Sequence, residues 1–355
     1  MNSNPESNSA SDTESKTAPI VRNVRVLSVE EIAMQAGRQM PFVRLPERFN
    51  LFNDRQLRLR QLAASHPMRE YLIFIADLAS AQHQVLQNYP AVAVPDADAC
   101  QAAAKALKPP MPAFGWPRDP LWRDELRRLL GEFKQRLAAG PARDTVDRLL
   151  ASPDPWIDHQ ADLLSRRITV GLDLATAPLI AAGLQTYWAQ LAMLTADAHG
   201  ERVFGHTEPN TECPCCGSVP TASVTRIGAD ESGFRYLHCS LCSTQWHYVR
   251  IKCTNCESTK GIHYQELAAE EGIAVPVTGA RSGAVKAECC DTCGHYLKQV
   301  SMEKDPEVEP VADDLASVAL DLLVSEAGFE RNGHNLMLLF GDPEPSPADN
   351  DGGGG

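Results

Sequence analysis

RYLHCSLCSTQWHYVRIKCTNCES, Arg235 to Ser258, carries two Cys-x-x-Cys pairs, Cys239/Cys242 and Cys253/Cys256, with ten residues between them. Upstream, CPCCGSVPTASV (Cys213–Val224) supplies Cys213/Cys216, and downstream, VKAECCDTCGHYLK (Val285–Lys298) supplies Cys290/Cys293. Two residues between thiols let the chain turn so that both sulfurs face one ion, and four such thiolates close a tetrahedral shell. Glycine directly after the second cysteine, as at Gly217 and Gly294, permits the left-handed turn of such a knuckle. The 22 residues between Cys216 and Cys239 and the 33 between Cys256 and Cys290 suit hairpins that close back onto their own sites. The expected ligand sets are therefore sequential: Cys213, Cys216, Cys239 and Cys242, then Cys253, Cys256, Cys290 and Cys293. A cross-braced arrangement of first with third and second with fourth knuckles is the alternative. The bridge Ser243–Lys252 reaches at most ~33 Å, so both centres belong to one unit.

Ten of the eleven cysteines lie between Cys213 and Cys293, and the other is Cys100. The N-terminus MNSNPESNSASDTESK has no basic segment followed by an apolar one, so the expectation is a cytoplasmic protein whose thiols stay reduced. That argues against a disulfide framework. No βαβ context surrounds any pair, which argues against a thioredoxin-like redox site. Four thiolates suit zinc and a rubredoxin-like single iron equally, so spacing leaves the metal open. Structural stabilisation is the expected role, with electron transfer the alternative. Cys215 and Cys289 remain as possible alternative thiols, expected mainly to pack. His238 and His247 are near enough to replace a sulfur but are not needed, and Trp246 and Tyr248 read as ribbon packing.

Short β-prone runs separate the cysteine pairs: Ala222–Ile227, Phe234–His238, Gln245–Lys252, Ile262–Leu267, Ala284–Glu288 and Tyr296–Val300. The preceding half is helical in pattern. Helices are expected over Asp54–Ala64, from Ser65-His66-Pro67 to Asn88, from Asp119-Pro120 with the stripe Trp122, Leu126, Leu129, Leu130, Phe133 and Leu137, and around Val146–Leu150. Trp156–Ser165 and Leu174–Ala198 complete the run. Leu174–Leu194 is free of charge for 21 residues, but its Ala, Thr and Gln content marks a buried core helix rather than a membrane span. Prolines between Tyr89 and Pro120 exclude long regular elements there. The fold class expected is an N-terminal all-α domain followed by tandem rubredoxin-like or zinc-ribbon modules and a C-terminal helix over Val311–Ala327. The division is a disordered arm over 1–23 (with a short helix after it from Ser28 to about Gly37), a helical domain over 24–205, ribbons over 206–252 and 253–300, an acidic linker and helix over 301–340, and a disordered tail over 341–355.

The chain has 355 residues, 43% hydrophobic and 22% charged, an ordinary globular composition. Its net charge is −13, of which −11 falls in residues 301–355, with thirteen acidic against two basic residues. The acidity thus reads as that of a tail, while the region from Cys213 to Val300 is balanced at eight of each sign.

With the knuckles in place, the three quoted stretches and EAGFERNGHNLMLL (Glu326–Leu339) resemble the FdhE family of formate dehydrogenase accessory proteins. The resemblance is densest over about 213–340. It assigns the ligand role to the same eight cysteines, while Cys215, Cys289 and the acidic extension beyond Phe340 depart from the family pattern. It implies iron of rubredoxin type at both sites, with zinc possible. It further implies a cytoplasmic maturation factor whose partner is the catalytic subunit of respiratory formate dehydrogenase before export; from the residues themselves a non-enzyme is expected, with no membrane insertion and no nucleic acid. The residues themselves show no catalytic triad, carboxylate pair or phosphate loop. Two other functions fit the ribbons: nucleic-acid binding through Arg226, Arg235, Arg250 and Lys252, and rubredoxin-like electron transfer.

Overall fold

Nine helices and eight strands are present among the residues that the computed structural model describes, which are Met1, 40–227, 233–267 and 281–339. The expected arm beyond Met1, the short helix from Ser28 and the tail over 341–355 lie outside them.

The helical half follows its apolar stripes. Helices α1 (Leu51–Ala63) and α2 (Arg69–Gln87) pack against each other, and α4 (Leu121–Lys134) buries Trp122, Leu126, Leu129, Leu130 and Phe133. Asp119 starts α4, its carboxylate accepting from the Leu121 N–H at 3.0 Å. Between them the proline-rich stretch still holds α3 (Ala97–Lys105), nine residues long and capped by Asp96 on the Ala99 N–H. Helices α5 (Pro141–Leu150) and α6 (Asp154–Arg166) follow, and α7 (Ala177–His199) is buried without a break from Leu179 to Ala192. Its Gln185 and Gln190 find partners: Gln185 Nε2 donates to the Ser240 carbonyl at 2.8 Å and Gln190 Oε1 accepts from Arg48 at 2.7 Å. Polar groups satisfied in this way belong to a core helix, since an unpaired buried amide is costly. Among the described residues no helix is long and apolar enough to cross a membrane.

The cysteine-rich half is one mixed sheet rather than separate hairpins. Its strands are β1 (Val43–Arg44), β2 (Pro220–Thr225), β3 (Arg235–Cys239), β4 (Gln245–His247), β5 (Ile262–Gln265), β6 (Val285–Cys290), β7 (His295–Ser301) and β8 (Glu330–Arg331). The order is β1-β4-β3-β2-β7-β6-β5, with β8 on β7. Each ribbon is antiparallel within itself. Parallel pairing of β2 with β7, Ser223 opposite Gln299 and Thr225 opposite Ser301, joins the two.

Two expectations for the C-terminal part need correction. The single helix over Val311–Ala327 is two helices, α8 (Pro310–Ala316) and α9 (Val318–Glu326), broken at Ser317, whose hydroxyl turns back to the Asp313 carbonyl at 2.7 Å. The acidic segment is no linker. Asp305, Glu309, Asp313, Asp314 and Asp321 are buried and paired with cations from the folded body. Arg58 meets Asp305 and Asp313, Arg55 meets Glu309, and Lys298 and Arg331 share Asp314 and Asp321. A count along the sequence assigns this acidity to a tail and linker; Arg55 and Arg58 reach it from about 250 residues away, and Lys298 and Arg331 from the flanking strands.

Candidate metal centres

Each ribbon builds one four-sulfur group from a loop knuckle and a hairpin knuckle. Cys213 and Cys216 precede β2, while Cys239 ends β3 and Cys242 lies in the turn after it. The second ribbon repeats the plan with Cys253 and Cys256 before β5, Cys290 ending β6 and Cys293 in the turn before β7. Within each group all four sulfurs lie within 4.8 Å of one another, in the sequential rather than the cross-braced pairing. Cys213–Cys242, Cys216–Cys239 and Cys216–Cys242 are 3.5, 3.4 and 3.6 Å apart. Cys253–Cys293 and Cys256–Cys290 are 3.6 and 3.8 Å apart. A tetrahedron with metal–sulfur bonds of ~2.3 Å has sulfur–sulfur edges of ~3.8 Å, so both donor sets fit one ion each. The spacings are far beyond an S–S bond of ~2.05 Å, and every cysteine is free.

The knuckles share a backbone device that only two of them advertise in sequence. The residue after the second cysteine has positive φ in all four: Gly217 at 71°, Ser243 at 59°, Glu257 at 59° and Gly294 at 70°. That turn aims backbone N–H groups at sulfur. Leu241 and Cys242 N–H both reach Cys239 Sγ at 3.4 Å, and Asn255 N–H reaches Cys253 Sγ at 3.3 Å. Such donors stabilise thiolates.

The two centres differ in exposure. All four sulfur residues of the first are at most 1% exposed, whereas Cys256 of the second is exposed and Cys293 half-buried. Burial opposes ionisation at Cys293, yet the Asn255 side chain, the His295 N–H and the neighbouring sulfurs pull its thiol down to about 6. Burial pushes the Cys253 thiol up to about 12.

Cys215 and Cys289 fall outside both groups. Both are buried, which raises their thiols, that of Cys289 to about 11. The Thr244 hydroxyl lies between the first centre and Cys215, 3.2 Å from Cys242 Sγ and 3.4 Å from Cys215 Sγ. His238 and His247 contribute to neither group: His238 Nδ1 meets Gln245 Nε2 at 3.4 Å, and His247 stands edge-on to Phe234 and Tyr236. Trp246 and Tyr248 are core residues, as expected, with the Trp246 indole donating to the Asn210 carbonyl at 3.0 Å.

The first centre is continuous with the helical core. One apolar cluster runs from the helices through Leu237, Leu241 and Trp246 to Cys213, Cys216, Cys239 and Cys242. Backbone bonds fasten the proline-rich connector to the first knuckle, Met111 N–H to the Cys215 carbonyl at 3.4 Å and Ala113 N–H to the Cys216 carbonyl at 2.8 Å. The four-residue basic patch does not form. Arg235 is wholly buried and paired with Glu288 at 2.8 Å, tying β3 to β6, while Lys252 pairs with Glu257 and Arg226 donates to Gln245.

Comparison with known proteins places this architecture. The FdhE N-terminal family model matches residues 40–202, the FdhE central domain 212–250 and the FdhE C-terminal domain 251–338. A protein FdhE homolog of Cronobacter sakazakii is 38% identical over 325 residues, 91% of this chain and all of the relative. Protein FdhE of Salmonella arizonae is also 38% identical over the same shares of both chains. The crystal structure of the FdhE protein from Pseudomonas aeruginosa is similar, with a TM-score of 0.69 and 34% identity over 85% of this chain and all of that one. On these matches, together with the helical half and the paired four-cysteine knuckles, the chain belongs to the FdhE family.

Proposed function

We propose that this protein is a non-enzymatic maturation factor for respiratory formate dehydrogenase, acting in the cytoplasm on the catalytic subunit before that subunit is exported. Membership of the family supports the formate dehydrogenase connection. The observation that carries the mechanism is the position of the first four-cysteine group, whose sulfurs belong to the same apolar core as the helices. On this reading the chain works as a helical domain over 24–205 and two ribbons over 206–252 and 253–300. Cys213, Cys216, Cys239, Cys242, Cys253, Cys256, Cys290 and Cys293 are the ligands of two metal ions, iron by family resemblance or zinc. A bound ion supplies a rigid four-way crosslink, and a redox couple as well if it is iron. The protein supplies the rest: thiolates held by backbone N–H groups, and a joint between helices and sheet set in one geometry. A preorganised surface of that kind binds without first having to order itself.

The test is binding of the purified catalytic subunit to this chain, wild type against Cys239→Ser, with metal content measured on anaerobically purified protein. Stoichiometric metal and loss of binding in the variant are expected. Normal client binding by the metal-free variant defeats the mechanism.

Exposure of Cys256 favours a second reading for the second centre alone, electron transfer through iron. Reversible one-electron chemistry that Cys256→Ser removes would support it; zinc at that position in anaerobic protein would end it.

A further inference from the structure

We propose that a cleft of about 310 Å³ beside the first metal centre is the surface that receives the client, and that it takes an acidic segment carrying an apolar side chain. The inference rests on the maturation reading and names the docking site within it.

Three parts of the fold meet at this cleft. Its floor is the first knuckle, Cys216 to Val219, together with Ser240 and Leu241 of the second. One wall is the proline-rich connector from Lys108 to Phe114, bonded to that knuckle through Ala113, and the other is the C-terminal end of α6, Leu164 to Arg167. The joint is therefore shaped by the metal crosslink itself.

Its chemistry is one-sided. Lys108, Arg166 and Arg167 line it against a single carboxylate, Glu212. The buried cations Arg55, Arg58, Arg235 and Lys298 are each paired with a carboxylate. None of the three cleft cations meets a carboxylate among the described residues. Lys108 Nζ donates to the Glu208 carbonyl at 3.1 Å, and the Arg166 guanidinium lies 4.0 Å over the Phe114 ring. His334 adds a ring nitrogen, Nε2, that is buried without a partner in the lining. Phe114 is 56% exposed, and Val170, just past α6, is 76% exposed. Unpaired cations beside open apolar side chains complement an anionic, apolar-anchored segment. With three cations against one carboxylate, the cleft attracts such a segment although the chain as a whole carries a net charge of −13.

The variant Arg166→Glu/Arg167→Glu tests this, because both side chains are exposed and the fold is expected to survive. The probe is the purified catalytic subunit of formate dehydrogenase, with affinity measured at two salt concentrations. Wild-type binding that weakens with salt, about tenfold or greater loss in the double variant, and retention in Arg166→Lys/Arg167→Lys are expected. Arg136→Glu/Arg148→Glu, outside the cleft, should bind as wild type. Failure of the wild type to bind defeats the maturation reading. Wild-type binding that the cleft reversal leaves intact overturns the docking site alone. A wild-type dimer that the reversal converts to monomer shows instead that the cleft receives a second copy of this chain, and also overturns it.

Discussion

Arg58 on α1 and Asp313 on α8, 255 residues apart in the chain, meet side by side, Nε to Oδ2 at 2.9 Å and Nη2 to Oδ1 at 2.6 Å. The same guanidinium reaches Asp305 at 2.8 Å, and all three side chains are at most 3% exposed. This contact clamps the helical half to the segment that follows the ribbons. Removing Arg58 leaves two buried carboxylates, Asp305 and Asp313, without their counter-charge. Arg58→Ala is expected to cost about 3–5 kcal/mol in denaturant unfolding of metal-loaded protein. Arg60→Ala, whose pair with Asp77 is surface-exposed, should cost less than about 1 kcal/mol. Equal losses at the two positions would mean that the buried clamp carries no special weight.

Acid should loosen the same end of the molecule through His334. Burial, reinforced by the positive charges of Arg167 and Arg331, pushes its imidazole down to about 4 from an ordinary 6.5. The unfolded chain then takes up a proton that the folded chain refuses. Its contribution to stability is complete above pH 6.5 and fades as pH falls towards 4, by about 3 kcal/mol at the lower end. His334→Gln keeps the backbone bonds to Pro220 and Thr221 and should flatten the pH dependence of unfolding between these limits. A variant curve parallel to wild type across that window would rule out this histidine as the source.

How much of this was readable in advance depended on the range of the interaction. The four-sulfur groups were legible because each knuckle is a local motif and each hairpin returns to its own site. The helical stripes, such as Trp122 to Phe133, were legible because period and burial coincide on one element. The parallel pairing of β2 with β7 was not, since it joins strands about seventy residues apart with nothing in either strand to announce it. The charges were misread for the same reason. Arg235 reads in sequence as part of a basic patch and the carboxylates from Asp305 to Asp321 as an acidic linker and helix, because a linear count cannot see a partner on another element. Ser243 and Glu257 were invisible as left-handed turns because neither is glycine.

Those turns give a graded test. At Gly294 an added Cβ meets nothing within 4 Å, so Gly294→Ala isolates the backbone cost of a left-handed residue, about 1–2 kcal/mol. At Gly217 the same Cβ comes within 3.1 Å of Pro109 Cγ, in the connector that walls the cleft. Gly217→Ala should therefore be the more damaging change, measured by denaturation of metal-loaded protein. The reverse order would show that the first knuckle can shift away from the connector at little cost.

The unequal exposure of the two centres bears on how they lose metal. A competing ligand must reach a sulfur–metal bond, and thiolate reactivity follows access as well as ionisation. At the first centre every sulfur is within the core shared with the helices, so release requires opening that core. At the second, Cys256 is open to solvent and Cys293 half so. Anaerobic challenge with a coloured chelator should therefore show two phases, one ion leaving promptly and one only with unfolding. Iodoacetamide added between the phases should label Cys256 and Cys293 and spare Cys213, Cys216, Cys239 and Cys242, as read by peptide mass spectrometry. A single phase, or label appearing first on the buried set, would mean that the ribbons open together and that the shared sheet couples them more tightly than the core protects either one.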